Sequence, residues 1–241
     1  MKVSLKDLFT RLPIGVAVKL TLLILCKKWG LNHANIFFSQ EGEDIILKFL
    51  VGDKRNGFYV DVGCNHPIYL SNTFYFYINN WRGICIDANE VLCEKFRKTR
   101  FHDTVVTAAV SNEESEVTFF ISDKVPLVST MVPAQLEEWK KRWEFNREVK
   151  MKTQRLESIL DFHLKENTVI DFLSVDVEGN DLNVLKSINF KKYRPRYIVV
   201  EIHNFILKDG QQNEVVTFLF QNGYELINYS TINGYFKDIL S

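Results

Sequence analysis

Two acid-rich stretches carry most of the chemistry this sequence offers. "SVDVEGND" (174–181) supplies Asp176, Glu178 and Asp181, and "VVEIHN" (199–204) supplies Glu201, His203 and Asn204. Side chains alternate along an extended chain, so Asp176 and Glu178 share a face, as do Glu201 and His203, provided the extension persists that far. Acids and an imidazole gathered in this way suit two tasks. A positioned base takes the proton from a poor nucleophile such as a hydroxyl. Alternatively, a divalent cation held by the acids lowers the hydroxyl's pKa. Oxygen ligands suit Mg²⁺ or Mn²⁺, and Asp176, Glu201 and Asn204 are the candidate metal ligands. Asp176, Glu178, Glu201 and His203 are the candidate catalytic residues. His203 is preferred as the base, because imidazole is softer than an oxygen site needs and exchanges protons near neutrality. The plainer alternatives are a helix cap at Glu178-Gly179 and a satisfied buried histidine.

A second set lies in "FYVDVGCNHP" (58–67) and in Asp87. An apolar strand ends in Asp61, followed by the single Gly63. A pyrophosphate loop needs several glycines for backbone N–H groups to approach, and here Pro67 has also lost its N–H. Asp61 suits an ammonium or sulfonium group, which a phosphate site would avoid. Asp87, ending the next strand, can accept both hydroxyls of a ribose. The pair reads as a site for S-adenosylmethionine, against the alternative that both acids are strand-end caps.

These residues need a scaffold, and the pattern along the chain supplies one. Helices are expected at 39–50, with Ser39 as N-cap, and at 69–80, 90–100, 155–164, 181–188 and 212–223. Strands are expected at 57–63, 82–89, 103–111, 115–122, 168–179 and 194–204, and residues 224–240 read as a hairpin. Alternating strands and helices imply a mostly parallel α/β sheet covered on both faces, with an antiparallel pair at its end. Ligands of such sheets bind beyond the carboxyl ends of the strands, which puts Asp61, Asp87, Asp176 and Glu201 on one rim.

Residues 123–150 break the pattern with Pro126, Pro133 and a charged run, and read as an insertion or lid. Trp139 and Trp143 lie four apart in it, on one face of a helix. Such a pair either anchors the helix to the core or stacks on a sugar ring.

At 241 residues, 46% hydrophobic and 25% charged, the chain has the composition of a folded protein with one large domain. Zero formal net charge argues against nucleic acid as a partner. Cys26, Cys64, Cys85 and Cys93 show no CxxC spacing, which fits reduced thiols and a cytoplasmic location. Residues 1–36 form a separate N-terminal segment before a main domain at 37–241. Its apolar run, "LPIGVAVKLTLLILC", is interrupted by Lys19 and too short to span a bilayer. A helix packed on the body is expected there, with peripheral membrane contact or a second copy of the chain as the other occupants of its surface.

The sequence resembles the FkbM family of S-adenosylmethionine-dependent methyltransferases. The resemblance rests on "FFSQEGEDIIL", "FYVDVGCNHPIYLSNTFYF", "WRGICIDAN", "VVTAAVSN", "DFLSVDVEGNDLNVLKSI" and "YIVVEIHN", in family order over residues 37–205. One departure is Pro67, where many members carry a second glycine. The resemblance implies a class I methyltransferase fold, a Rossmann-like seven-stranded sheet. It implies O-methylation of a sugar, a sugar-bearing precursor of a surface polysaccharide, or another hydroxylated small molecule. By position it places Gly63 and Asn65 against the methionine part of the cofactor, Asp87 on the ribose, and Ala108 and Ala109 beside the adenine. Gln40 and Asn72 join the cofactor set as motif residues. Asp44 and Ser71 are motif residues too, and capping accounts for each of these four equally well. The competing readings are an NAD-dependent oxidoreductase on a similar sheet and a non-catalytic S-adenosylmethionine-binding protein.

Overall fold

A computed structural model describes residues 4–30, 36–203, 205–206 and 213–240. The main sheet is built from β1 (Phe58–Val62), β2 (Arg82–Asp87), β3 (Thr104–Thr107), β7 (Phe172–Val175), β8 (Tyr197–Glu201), β9 (Tyr224–Ser230) and β10 (Asn233–Asp238). Its order is β3-β2-β1-β7-β8-β10-β9. The first five strands run parallel, and β10 pairs antiparallel with both β8 and β9. The hairpin expected at the end of the chain therefore forms the far edge of the sheet.

The strands bury both faces in the period-two pattern of a covered sheet. Val60, Val62, Ile84, Ile86, Leu173, Val175, Ile198 and Val200 enter one core, with α7 (Leu156–His163), α8 (Asp181–Lys186) and α9 (Glu214–Gln221) over it. Their neighbours Tyr59, Cys85, Phe172 and Val199 enter the other, an aromatic core closed by Phe76 and Trp81. α3 (Glu43–Val51), α4 (Phe74–Tyr77) and α5 (Glu90–Thr99) lie on that side.

A second sheet has the order β4-β6-β5, from β4 (Ala109–Val110), β5 (Glu116–Ile121) and β6 (Arg147–Gln154). The expected strand 103–111 is thus two strands in two sheets. The chain crosses between them at Ala108, whose N–H donates to the Asp87 carbonyl at 2.9 Å. Within the expected insertion, α6 (Pro133–Trp139) is the only α-helix among the described residues, and β6 begins at Arg147. The charged run after Trp139 is therefore a turn and a strand rather than a long helix.

Three other expectations are corrected. The helix expected at 69–80 is only α4. Leu70 adopts φ 53, and the Ser71 hydroxyl accepts the Phe74 N–H at 3.2 Å, so the helix starts late. α3 starts at Glu43 after Gly42 at φ 88, rather than at Ser39. Ser39 instead accepts the Asp44 N–H at 3.2 Å and donates to that carboxylate at 2.9 Å. The strand expected at 168–179 ends at Val175.

α1 (Leu5–Arg11) and α2 (Ile14–Gly30) pack on the body. Leu8, Leu12, Ala17 and Leu20 meet Phe74, Tyr77 and Ile78. Buried Arg11 donates to Asn80 Oδ1 at 2.9 Å, and Tyr77 donates to the Arg11 carbonyl at 2.6 Å. Among the described residues, no helix is long and apolar enough to cross a membrane. The four cysteines are free.

Candidate active site

One cavity of about 360 Å³ opens at the carboxyl ends of the parallel strands, beside the point between β1 and β7 where the strand order reverses. All the sequence-derived site residues that the structure describes line it: Gln40, Asp61, Gly63, Asn65, Asn72, Asp87, Ala108, Ala109, Asp176, Glu178, Glu201 and His203. Asn204 lies outside the described residues.

Gly63 shows why a single glycine follows this strand. Its φ is +83, and a Cβ there would lie 1.7 Å from the Asp176 carbonyl oxygen. Two strand ends converge on that point, and only a residue without a Cβ lets them meet. The next turn is held by Asp87: its Oδ2 accepts the Asn65 N–H at 2.9 Å, and its Oδ1 accepts the Asn89 N–H at 2.7 Å. Each oxygen keeps a lone pair for a ligand. Burial pushes this carboxyl up to about 6.

Asp61 is committed in part to the scaffold. Its Oδ2 accepts the Thr73 hydroxyl at 2.6 Å, and Thr73 in turn accepts from Arg100 at 3.0 Å. The fully buried Arg100 also donates to Tyr59 at 2.6 Å and to Asp103 at 2.9 Å. Burial raises the Asp61 carboxyl above its usual range. Asn72 donates to Ser174 at 3.1 Å, which ties the 68–73 turn to β7.

On the far side stand the acids after β7 and β8. Glu178 reaches the cavity through a turn, with φ 55 at Glu178 and +95 at Gly179, and not by strand alternation. Asp181 fixes that turn by accepting the Val177 and Gly179 N–H groups at 3.1 and 3.2 Å. Thr130 donates to the Glu178 carbonyl at 3.1 Å, so the 123–150 segment is docked there. Burial, with Asp176 next to it, pushes Glu178 up to about 10. Burial and Glu201 raise Asp176 well above the carboxylate range and Asp181 to about 6. His203 Nε2 lies 3.0 Å from Glu201 Oε2, and that neighbour raises the imidazole.

Glu178, Glu201 and His203 each bring a ligand atom within 4.8 Å of the other two. Asp176, grouped from the sequence with Glu201 and Asn204, is not one of the three. Sequence reasoning also missed Glu43. It singled out Asp44, which accepts the Phe38 N–H at 2.8 Å and is a structural cap. Glu43, one residue earlier, lines the cavity and accepts from Asn233 at 2.9 Å. The signal lay in helix phase, once the start is moved from Ser39 to Glu43. Trp139 and Trp143 both line the cavity, while Leu136 anchors α6 to the core.

The family model described as the methyltransferase FkbM domain matches residues 61–226. The chain belongs to this family. The main sheet agrees: counted along the chain within that sheet, its strands stand in the class I methyltransferase order 3-2-1-4-5-7-6. Among solved structures, a TehB-like S-adenosylmethionine-dependent methyltransferase from Corynebacterium glutamicum aligns with TM-score 0.42 and 9% identity. That alignment covers 92% of this chain and 98% of that one. Comparison with curated protein sequences gives no significant match. Membership of the FkbM family sets the oxidoreductase reading aside.

The cavity fits the family's cofactor. Among the described residues its lining has six acidic side chains (Glu43, Asp61, Asp87, Asp176, Glu178 and Glu201) and no lysine or arginine. Such an acidic lining favours a cationic sulfonium and ammonium over phosphates, and a bound cation would help to hold its raised carboxyls ionised.

Proposed function

We propose that this FkbM-family chain transfers a methyl group to a hydroxyl of a sugar or sugar-bearing acceptor, such as a surface-polysaccharide precursor. The observation that carries this reading is the sharing of one cavity by the cofactor acids, the acid–imidazole group and the two tryptophans. When bound, S-adenosylmethionine supplies an electrophilic methyl group on a sulfonium sulfur. Asp87 is positioned to accept the ribose hydroxyls with its two remaining lone pairs. Gly63 and Asn65 form the wall for the methionine part, with Asp61 beneath it, and Ala108 and Ala109 form the flat wall for the adenine. Gln40 and Asn72 close the rim.

A hydroxyl is a poor nucleophile and must lose its proton as the new C–O bond forms. The group that activates it is Asp176, Glu178, Glu201 and His203. Trp139 and Trp143 offer ring faces on which a sugar can stack. The 123–150 segment thus serves as the acceptor-side wall, and it excludes water from the transfer.

The test is to incubate the protein with methyl-labelled S-adenosylmethionine and a panel of free sugars, nucleotide sugars and oligosaccharides. Label is expected in an alkali-stable O-methyl ether, with S-adenosylhomocysteine formed in equal amount. Transfer to amine or carbon acceptors, with none to hydroxyls, sinks the proposal.

A further inference from the structure

We infer that Glu178, Glu201 and His203 form a binding site for a divalent first-row transition ion, best probed with Mn²⁺. The first observation is convergence. Three ligand atoms from two separate segments, the turn after β7 and the end of β8, lie within 4.8 Å of one another. Neighbouring ligands of an octahedral ion, each about 2.1 Å from it, stand about 3.0 Å apart, and opposed ones about 4.2 Å. The Glu201 Oε2 to His203 Nε2 distance is 3.0 Å.

The second observation is independent of that grouping. Glu201 is 7% exposed, and its Oε2 is buried with no hydrogen-bond partner among the described residues. His203 Nε2 stands 3.0 Å from that oxygen without the geometry of a hydrogen bond, a separation that a cation shared by the two atoms would also give. A buried carboxylate oxygen with no donor is rare and costly. A cation held by both would satisfy it.

A third observation concerns charge. Asp176 and Glu43 add acidic groups at the same place, and among the described residues the cavity lining contains no lysine or arginine to pair with them. The donor set, one imidazole nitrogen and two carboxylates, favours Mn²⁺, Fe²⁺ or Zn²⁺ over the all-oxygen preference of Mg²⁺ and Ca²⁺. Asp181 and Thr130 fix the turn that carries Glu178. His203 is exposed and Glu178 borders the cavity, so a bound ion would stay accessible to an acceptor oxygen. This assigns His203 to the ion instead of to free proton abstraction. The ion's role in transfer rests on the hydroxyl-methylation reading, but the site itself does not.

The experiment reads binding alone. Chelator-stripped protein is titrated with Mn²⁺ while free ion is followed by electron paramagnetic resonance, without cofactor or acceptor. One ion per chain is expected. Glu201→Gln and His203→Ala should each weaken it at least about tenfold, as removing a ligand should do at least as much as the 10–100-fold loss seen for outer-shell partners. Circular dichroism confirms folding, and the near-isosteric Glu201→Gln keeps the test decisive if His203→Ala unfolds. Mg²⁺ should compete poorly. Asp87→Asn should bind Mn²⁺ normally while losing cofactor, which separates failure of this site from failure of the methyl-transfer reading. No Mn²⁺ bound at millimolar concentration, or equal binding in both ligand variants, overturns the inference.

Discussion

Asp87→Asn tests the cofactor site at the point where the structure makes the sharpest statement. In the native protein each Asp87 oxygen accepts one backbone N–H, from Asn65 at 2.9 Å and from Asn89 at 2.7 Å. One lone pair on each oxygen is left for the ribose. An amide keeps one oxygen and turns the other into an NH₂ group, which meets a backbone N–H head-on and cannot accept from the second hydroxyl. About one hydrogen bond to a charged acceptor is lost from the complex, worth roughly 1.5–3 kcal/mol. Affinity for S-adenosylhomocysteine should therefore fall about 10- to 150-fold by titration calorimetry.

The pH dependence follows with a definite sign. Burial holds the native carboxyl near about 6, and the ribose prefers the ionised form. Native affinity should be flat above that value and fall as pH drops through it, approaching tenfold per unit. The Asn variant has no proton to gain and should be flat over the same range. An Asn variant that binds like the native protein, or one that keeps the native pH slope, refutes the role given to Asp87.

Other outcomes can be stated more briefly. Gly63→Ala puts a Cβ 1.7 Å from a backbone oxygen at φ +83, so urea unfolding should show a loss of about 2–5 kcal/mol from strain and strand displacement. A loss under 1 kcal/mol would mean the strand ends are free to part. Arg100→Ala strips the donor from Tyr59, Thr73 and Asp103. Breaking that buried network should cost about 3–5 kcal/mol, seen as a drop in Tm of roughly 6–20 °C. Trp143→Ala should raise KM for the acceptor with little change in cofactor affinity; equal changes in both would place Trp143 elsewhere in the mechanism. Removing residues 1–30 uncovers Phe74, Tyr77 and Ile78 and should cause aggregation, read by light scattering, whereas an unchanged monodisperse protein would show the two helices to be dispensable.

The strands of the main sheet were legible because Val60, Val62, Ile84 and Ile86 alternate with Tyr59 and Cys85, and both sets are apolar. The rim acids were legible because they end those runs. Element ends were harder to read. The crossing at Ala108 leaves no mark in a continuous β-rich run, because the change of partner is decided by β6, more than forty residues later. Glu178 reaches the cavity through a left-handed turn, a backbone state that Glu seldom adopts and that Asp181 enforces from the following helix. Glu43 and Asp44 differ by one helical step, so choosing between them required the helix start, which Gly42 sets and Ser39 disguises. Arg100 was invisible for another reason: it caps a charged helix, and its partners Tyr59, Thr73 and Asp103 come from three other segments.

The absence of lysine and arginine among the described residues of the cavity lining also bears on turnover. A methyl donor carries its positive charge on sulfur, and the spent thioether does not. The acidic side chains that draw the donor in lose that attraction to its sulfur once the group has moved, so the same lining that loads the enzyme favours ejection of the product. Donor should therefore outcompete its demethylated product, and the preference should shrink as added salt screens the entrance.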